Sequence, residues 1–299
     1  LRNEKKKIPD NKAVWKIQAA LALIFLLNPF LGVLSTLFFV FVSKEKSMAF
    51  YLVIILTLFM WCLQSTRSFH LGEPSDWAGN YYYNFHNAAI TDTLTYLFFT
   101  TKEYAWQAFN LIGYYLFDGD FLSYANFIVA LTYMFTFAAI YKFWNYIQAD
   151  PRFLVASLCL FAFVTEVNGI CNNLLRQQFA MSMMLYAIIE RCTNGRILYP
   201  LLVISFFTHT MTGFFIPFLF IRLGKKASFR FYIYIVLGFG LLYILFTNLS
   251  IFSSSSFYAF QRLATASNAY ALKDIIQPSA VYPFLAGMGF FFFQPLFFF

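Results

Sequence analysis

Residues 172–190 have the sequence NNLLRQQFAMSMMLYAIIE. It contains an apolar run from Leu174 to Ile189 that stops at Glu190. The strongly polar side chains inside this run are Arg176, Gln177, Gln178 and Ser182. A long apolar segment with its charges at the two ends is typical of a membrane-spanning helix.

Arg176 lies near the head of this predicted helix. A guanidinium stays charged in a protein, and placing it in or at the edge of hydrocarbon costs about 2.5–3.5 kcal/mol on insertion scales. The sequence therefore predicts an anionic group that offsets this charge. The alternative is that the long side chain carries the charge out to the lipid headgroups.

The composition excludes an ordinary soluble domain. Of the 299 residues, 61% are apolar, 23% are aromatic and 11% are charged, whereas about a quarter of the residues of soluble domains are charged. Apolar runs recur along the whole chain, and backbone inside a bilayer must satisfy its hydrogen bonds internally. The predicted fold class is all-α, a polytopic transmembrane helical bundle with about nine or ten hydrophobic segments, some broken or re-entrant. We expect one integral membrane domain over residues 1–299.

The net charge of +8 comes from 21 Lys and Arg against 13 Asp and Glu. The basic residues form short clusters between apolar runs, which indicates orientation signals rather than a nucleic-acid-binding surface. Residues 1–12 are predicted to form a basic cytoplasmic arm. The four cysteines have no CxxC spacing, so we expect neither a metal site nor a disulfide. The start at Leu1 and the end inside an apolar run predict that both termini are truncated.

The first apolar run, residues 13–42, is interrupted at Asn28-Pro29. It forms either one long kinked helix or a tight pair of short helices. The basic residues Lys44 and Lys46 favour the pair, because the chain then returns to the cytoplasmic side. Met48 to Gln64 is predicted to span outward.

Residues 67–92 are predicted to form a loop at the outer face. This segment contains two of the three histidines and a Trp/Tyr cluster, which is typical of the headgroup boundary. Thr93 to Phe117 is apolar but is broken by polar residues, and one or two interfacial or partly inserted helices are expected there. The polar residues that break it are Lys102, Glu103 and Gln107.

Three spans follow with alternating directions. Phe121 to Tyr146 is predicted to run inward, Phe153 to Ile170 outward, and the helix of Arg176 inward. This order places Arg176 on the outer side.

The apolar run from Ile197 to Ile221 is interrupted by Thr208-His209-Thr210 and by Pro217. One crossing would send the basic cluster Arg222–Arg230 outside, against the positive-inside rule. A broken or re-entrant pair with His209 at its outer tip satisfies the rule, and irregular backbone at depth is tolerated beside a wet cavity.

The remaining segments complete the predicted topology. Phe231 to Phe246 runs outward, residues 247–279 form an outer-face loop, and Val281 to Phe299 returns. Five polar residues then reach the same outer face: His70, Asp76, Arg176, His209 and Arg262.

Several motifs occur in a familiar order along the chain. They are NPFLG (28–32), SDWAGNYYYNF (75–85), NNLLRQQFAMSMM (172–184), SFFTHTMTGFFIP (205–217) and QRL (261–263). In this order the sequence resembles the EpsG family of polysaccharide polymerases, which are close in role to the Wzy O-antigen polymerases. The resemblance covers most of the chain.

The resemblance implies an integral-membrane glycosyltransferase of polysaccharide or lipopolysaccharide biosynthesis, acting at the periplasmic face of the bacterial inner membrane. Its substrates would be oligosaccharides linked to undecaprenyl diphosphate, as donor and as acceptor. No metal, nucleotide sugar or cofactor is expected. Membrane lipids and a chain-length regulator are candidate partners, and no nucleic acid is expected.

Breaking a glycosyl-diphosphate bond builds negative charge on the leaving phosphate, and fixed cations stabilise that charge. Arg176 and Arg262 are therefore candidates for a diphosphate clamp, since a guanidinium pairs bidentately with phosphate oxygens. His209 has the unperturbed pKa that suits a general base for the acceptor hydroxyl. Asp76 is the rival base, or a group that binds sugar hydroxyls, or a solvated acid.

Four residues beside these charges are candidates for sugar binding. The aromatic rings among them can stack on sugar faces, although a membrane-interface belt has the same composition. The candidates are Trp77, Tyr81, Tyr82 and Gln177.

A flippase for lipid-linked oligosaccharides, or another transporter, is the main alternative function. Such proteins also place arginines in a central cavity, but many of them contain two similar halves with matched broken helices. The sequence has no internal repeat of this kind.

Overall fold

The computed structural model describes residues 11–43, 46–67, 77–98, 103–163 and 174–220. All of these residues are part of one compact unit, Leu1–Arg222. Regular structure within them is helical throughout, so the predicted all-α class is confirmed. Of the arm predicted at residues 1–12, Asn11 and Lys12 begin α1. The rest of that arm, the loop predicted at 247–279 and the predicted C-terminal spans lie outside the described residues.

The α-helices, numbered in chain order, are α1 (Asn11–Leu27), α2 (Pro29–Ser43), α3 (Ala49–Ser65), α4 (Tyr82–Ile90), α5 (Thr93–Phe98), α6 (Tyr104–Leu116), α7 (Phe121–Ile147), α8 (Pro151–Phe163), α9 (Leu175–Asn194) and α10 (Tyr199–Thr208). A π-helical turn, Trp77–Tyr81, precedes α4. Two 3-10 helices, Lys46–Met48 and Thr210–Phe220, precede α3 and follow α10.

Helix α7 lies at the centre of the bundle and packs against α3 and α9. It runs antiparallel to α3, since the rings of Phe50 and Tyr141 lie 5.7 Å apart and Lys46 Nζ donates to Gln148 Oε1 at 2.6 Å. It runs parallel to α9, because Phe135 lies 6.4 Å from Phe179 and a later pair, Lys142 with Glu190, forms an ion pair. These relative directions agree with the predicted alternation of spans.

The bundle therefore has two ends that differ in charge. At the Arg176 end, α3 ends and α7 and α9 begin. At the Lys46 end, α3 begins and α7 and α9 end. Most Lys and Arg side chains of the described part lie at the Lys46 end: Lys16, Lys46, Lys142, Arg152, Arg191 and Arg196.

Residues 13–42 form the pair of helices rather than one kinked helix. Asn28 separates α1 from α2 and caps the second helix, accepting a hydrogen bond from the Leu31 amide at 3.1 Å. Pro29 then occupies the first helical position, where its missing N–H costs nothing. Gly32 lets the two helices touch, because a Cβ there would lie 2.4 Å from the Phe25 Cα.

The prediction of a loop over residues 67–92 is wrong for its second half. Trp77–Tyr81 and Tyr82–Ile90 are helical, and the rings of Trp77 and Phe85 are fully buried. Phe85 stacks on Tyr124 of α7 with 4.8 Å between ring centroids. The aromatic residues that indicated an interface segment are used here to pack a helix against the bundle.

The predicted break at His209 is present. Helix α10 ends at Thr208, His209 is extended with φ −154° and ψ 114°, and a 3-10 helix follows. Helix α10 lies along α9, where Ser205 Oγ donates to Ala180 O at 2.7 Å. The 3-10 helix returns to the end of α9, where Arg191 Nε donates to Leu219 O at 3.0 Å. His209 thus lies at the turn between α10 and the 3-10 helix, at the Arg176 end.

Among the described residues, one helix is both long and apolar enough to cross a membrane, Phe121–Ile147 with 27 residues. The other apolar helices have 10–17 residues.

Candidate active site

Arg176 is the second residue of α9, whose first residue is Leu175. The side chain of Leu175 is buried in the bundle and that of Arg176 is partly exposed. The amide of Gln178 donates to Leu174 O at 2.9 Å, so the first turn is formed. The guanidinium therefore lies at the helix N-terminus, where backbone N–H groups lack intrahelical acceptors.

Glu103 immediately precedes α6, and its carbonyl accepts from the Gln107 amide at 3.2 Å. Helix α6 bridges the beginnings of two other helices. Midway along α6, Phe109 contacts Phe179 of α9 at 5.2 Å, and just beyond the end of α6 Phe117 contacts Phe127 of α7 at 5.6 Å. This arrangement places Glu103 beside the first turn of α9.

The backbone on both sides fixes His209. Its amide donates to Ser205 O at 3.0 Å, and its carbonyl accepts from the Thr212 amide at 3.0 Å and from Thr212 Oγ1 at 2.9 Å. Because the residue is extended between two helical segments, its side chain leaves α10 and points across the bundle to Glu103.

Glu103 contacts both Arg176 and His209, and its carboxylate accepts a hydrogen bond from each. Glu103 Oε2 forms an ion pair with Arg176 Nη1. Glu103 Oε1 lies 2.8 Å from His209 Nδ1. The side chains are 26% (Arg176), 14% (Glu103) and 15% (His209) exposed, so all three are largely shielded from solvent. We call these residues the Arg–Glu–His cluster.

The Arg–Glu–His cluster supplies the anion that the charge of Arg176 requires. A partly buried cation and carboxylate stabilise each other where either alone would be costly. Within the described ranges, Arg176 Nε is buried and lacks a hydrogen-bond partner. The guanidinium therefore has one N–H donor that the Arg–Glu–His cluster does not satisfy.

Glu103 is not among the site residues predicted from the sequence. It is one of three polar interruptions in the segment from Thr93 to Phe117. An acid in an apolar, aromatic segment was the available signal, because such a group needs a cation nearby.

Polar side chains continue along α6 from Glu103 into the bundle. Gln107 and Asn110 are both 1% exposed. Asn110 Nδ2 lies 3.4 Å from Gln107 Oε1, and Tyr124 Oη donates to Asn110 Oδ1 at 2.9 Å. Paired polar groups at this depth fix the position of α6 against α7.

The three aromatic residues proposed to bind sugar have different environments. Trp77 is 0% exposed, between Phe121 at 5.8 Å and the guanidinium of Arg67 at 4.2 Å. Tyr81 is also buried, with its ring 5.8 Å from that of Trp106. Neither ring has a face open to a sugar, and both contribute to packing.

Tyr82 is half-buried, and its ring lies 4.1 Å from that of His86. Gln177 is half-buried and follows Arg176 on α9. Sugar binding by these two residues stays a prediction. His70, Asp76 and Arg262 lie outside the described residues, so the structure brings together only Arg176 and His209 among the predicted catalytic and diphosphate-binding residues.

A second ionic cluster lies at the Lys46 end. Lys142 forms an ion pair with Glu190, whose other oxygen accepts from Asn194 Nδ2 at 2.9 Å. It joins α7 to the last turns of α9 and has no histidine. In the described ranges no group of His, Cys, Asp and Glu is arranged to hold a metal ion.

The described residues form an all-helical bundle with the Arg–Glu–His cluster at one end and basic residues at the other. Together with the composition, this places the chain in the class of apolar, membrane-type helical proteins. A family model specifies the class further: it matches residues 50–299, and the chain belongs to the EpsG family. Membership implies a membrane-associated, glycosyltransferase-type enzyme of polysaccharide biosynthesis. Searches of curated proteins and of solved structures gave no match to the chain.

Proposed function

We propose that this protein is a bacterial polysaccharide polymerase. It transfers a growing glycan from undecaprenyl diphosphate to the terminal sugar of a second lipid-linked repeat unit, at the periplasmic face of the inner membrane. Membership of the EpsG family supports the reaction class. The observation that carries the proposal is the meeting of Arg176 and His209 on Glu103, since it combines a phosphate-binding cation with a base.

The distribution of charge supports the proposed orientation. In this proposal α3, α7, α8 and α9 cross the membrane as parts of a polytopic bundle. The positive-inside rule assigns the Lys46 end to the cytoplasm, which leaves the Arg–Glu–His cluster at the periplasmic side. Exposed apolar side chains such as Leu26, Leu27 and Phe38 suit contact with lipid.

The reaction requires one bond to form and another to break at the same sugar carbon. The acceptor hydroxyl oxygen attacks the anomeric carbon of the donor sugar, and the bond from that carbon to the phosphate oxygen breaks. The electron pair of the broken bond stays on the diphosphate, and the hydroxyl proton moves to the base. Undecaprenyl diphosphate leaves.

Arg176 suits stabilisation of the leaving diphosphate. Its charge is fixed, and it lies at a helix N-terminus, where free N–H groups also favour an anion. A fixed cation stabilises the transition state more than the ground state, because negative charge grows on the phosphate as the bond breaks. Arg262 stays the predicted second cation of this clamp.

His209 suits removal of the hydroxyl proton. Glu103 faces Nδ1, so the hydrogen on Nδ1 is held by the carboxylate and Nε2 is left as the basic nitrogen. A carboxylate that orients an imidazole in this way also stabilises the imidazolium that forms. General-base catalysis contributes about 10²- to 10⁴-fold in rate. Asp76 stays the predicted rival base or sugar-binding group.

The experiment that tests this function uses purified protein in proteoliposomes. The substrate is one repeat unit linked to undecaprenyl diphosphate, without nucleotide sugar and with EDTA present. We expect a ladder of longer glycans and release of undecaprenyl diphosphate. Movement of the lipid-linked unit across the bilayer without any ladder would assign the protein to the flippases instead.

A further inference from the structure

One carboxylate oxygen of Glu103 contacts a cation, and the other contacts a candidate base. Oε2 is paired with Arg176 and Oε1 with His209. Within the described residues, Arg176 Nε is buried and has no hydrogen-bond partner. The cation that would bind the donor is thus already held by an internal anion.

We propose that Glu103 is a placeholder for the diphosphate of the donor and links donor binding to activation of His209. The proposal rests on the function proposed above, because it assumes that Arg176 binds phosphate. Without donor, the carboxylate satisfies a cation that would otherwise be buried without a counter-charge. When donor binds, the diphosphate displaces the carboxylate from Arg176.

In this exchange, one anionic partner of Arg176 replaces another. Carboxylate and phosphate each present oxygens that suit the guanidinium fork, so the donor replaces one charge-assisted pair with another. Arg176 therefore remains in an ion pair when the donor binds.

The released carboxylate keeps its contact with His209. While Arg176 is paired with Glu103, the positive charge of the guanidinium offsets part of the negative charge that the carboxylate presents to the imidazole. When the diphosphate neutralises Arg176, the carboxylate stabilises the imidazolium more strongly. Removal of the acceptor proton is therefore favoured only when the donor is in place.

This linkage predicts opposite effects of one substitution on binding and on turnover. Glu103→Gln removes the competing anion, so we expect undecaprenyl diphosphate to bind about threefold tighter or more, the scale that a partly exposed ion pair gives. The same change removes the negative charge that stabilises the imidazolium of His209, so we expect kcat of elongation to fall by about tenfold or more. A residue with a purely structural role would lower both binding and turnover.

The test measures binding of undecaprenyl diphosphate to the full chain in phosphatidylcholine nanodiscs, where it is the anionic lipid. Glu103→Gln and Glu103→Ala both remove the carboxylate, so a second variant is available if one does not fold. Glu190→Gln is the matched control, because Glu190 is a shielded carboxylate in an ion pair at the opposite end. The elongation rate is measured on the same preparations.

We expect tighter binding with slower elongation for the Glu103 variants, and unchanged binding for Glu190→Gln. Weaker or unchanged donor binding in the Glu103 variants, with weaker binding in Arg176→Ala, would overturn the placeholder and keep Arg176 as the phosphate ligand. Unchanged binding in Arg176→Ala would instead overturn the role of Arg176 in the proposed function.

Discussion

At the scale of single residues, the main finding is that one carboxylate holds two side chains that are distant in sequence. Glu103 orients the imidazole of His209 and neutralises Arg176, and both contacts are shielded from solvent. The proposed function assigns a separate task to each of the three residues: anion binding to Arg176, proton removal to His209 and positioning to Glu103.

The first residue-scale prediction concerns His209. His209→Ala should lower the elongation rate by about 10²- to 10⁴-fold, because the acceptor hydroxyl loses its base. Donor binding should change little, since Arg176 and its helix are intact. Rates of ladder formation and binding of undecaprenyl diphosphate in nanodiscs check both parts. Elongation at the wild-type rate would exclude His209 as the base.

The second residue-scale prediction concerns Tyr124. Tyr124→Phe removes the donor to Asn110, a buried amide, and leaving such a group unpaired costs about 1–3 kcal/mol. We expect a lower Tm in detergent. Tyr115→Phe is the matched control, because Tyr115 is 67% exposed, and its effect should stay within about 0.5 kcal/mol. Equal Tm values for the two variants would refute this role of the hydrogen bond.

Part of the candidate site could be predicted from single residues of the sequence, and part could not. The fixed charge of Arg176 in an apolar helix predicts a nearby anion, and Glu103 is that anion. Its identity did not follow, because the pairing depends on how α6 crosses the beginning of α9, and no short sequence pattern encodes that crossing. The burial of Trp77 and Tyr81 was missed for the same reason: an interface belt and a packed helix have the same aromatic composition.

At the scale of elements, helix breaks are the features that the sequence predicts best. Asn28-Pro29 and Thr208-His209-Thr210 both interrupt long apolar runs, and the chain turns at both. Each break has a local cause: a capping side chain with a proline at the first, and an extended histidine between two helical segments at the second. The helix over Tyr82–Ile90 was not predicted, because its packing against α7 is a tertiary contact.

The element-scale prediction concerns the close approach of α1 and α2. Gly32→Ala places a methyl group against backbone atoms of Phe25, which cannot move aside as a flexible side chain could. We expect a loss of about 1–3 kcal/mol in the free energy of unfolding, seen as a lower Tm.

The matched control for this change is Gly79→Ala. A Cβ at Gly79 meets nothing within 4 Å, and alanine suits a helix better than glycine. Its Tm should stay the same or rise. If Gly32→Ala were as stable as Gly79→Ala, the two helices would not be packed in the way described.

At the scale of the whole molecule, the proposed orientation predicts which surfaces face the periplasm. We place single cysteines at Asn87 on α4 and at Arg196 after α9, both exposed, in a chain whose four native cysteines are replaced by alanine. A membrane-impermeant maleimide should label Asn87→Cys in cells with a permeabilised outer membrane. It should label Arg196→Cys only after the inner membrane is opened. The reverse pattern would invert the proposed topology.

The proposed function depends on an interaction between the Arg–Glu–His cluster and a lipid-linked diphosphate. The most direct measurement is the elongation rate of Arg176→Ala in proteoliposomes, beside Arg196→Ala, which removes an exposed arginine at the opposite end. With expression and Tm matched, we predict a fall of at least about 10²-fold for Arg176→Ala, the scale seen when one stabilising donor is removed from a transition state. Arg196→Ala should elongate at the wild-type rate. Full-length polymer made by Arg176→Ala at the wild-type rate would contradict the account.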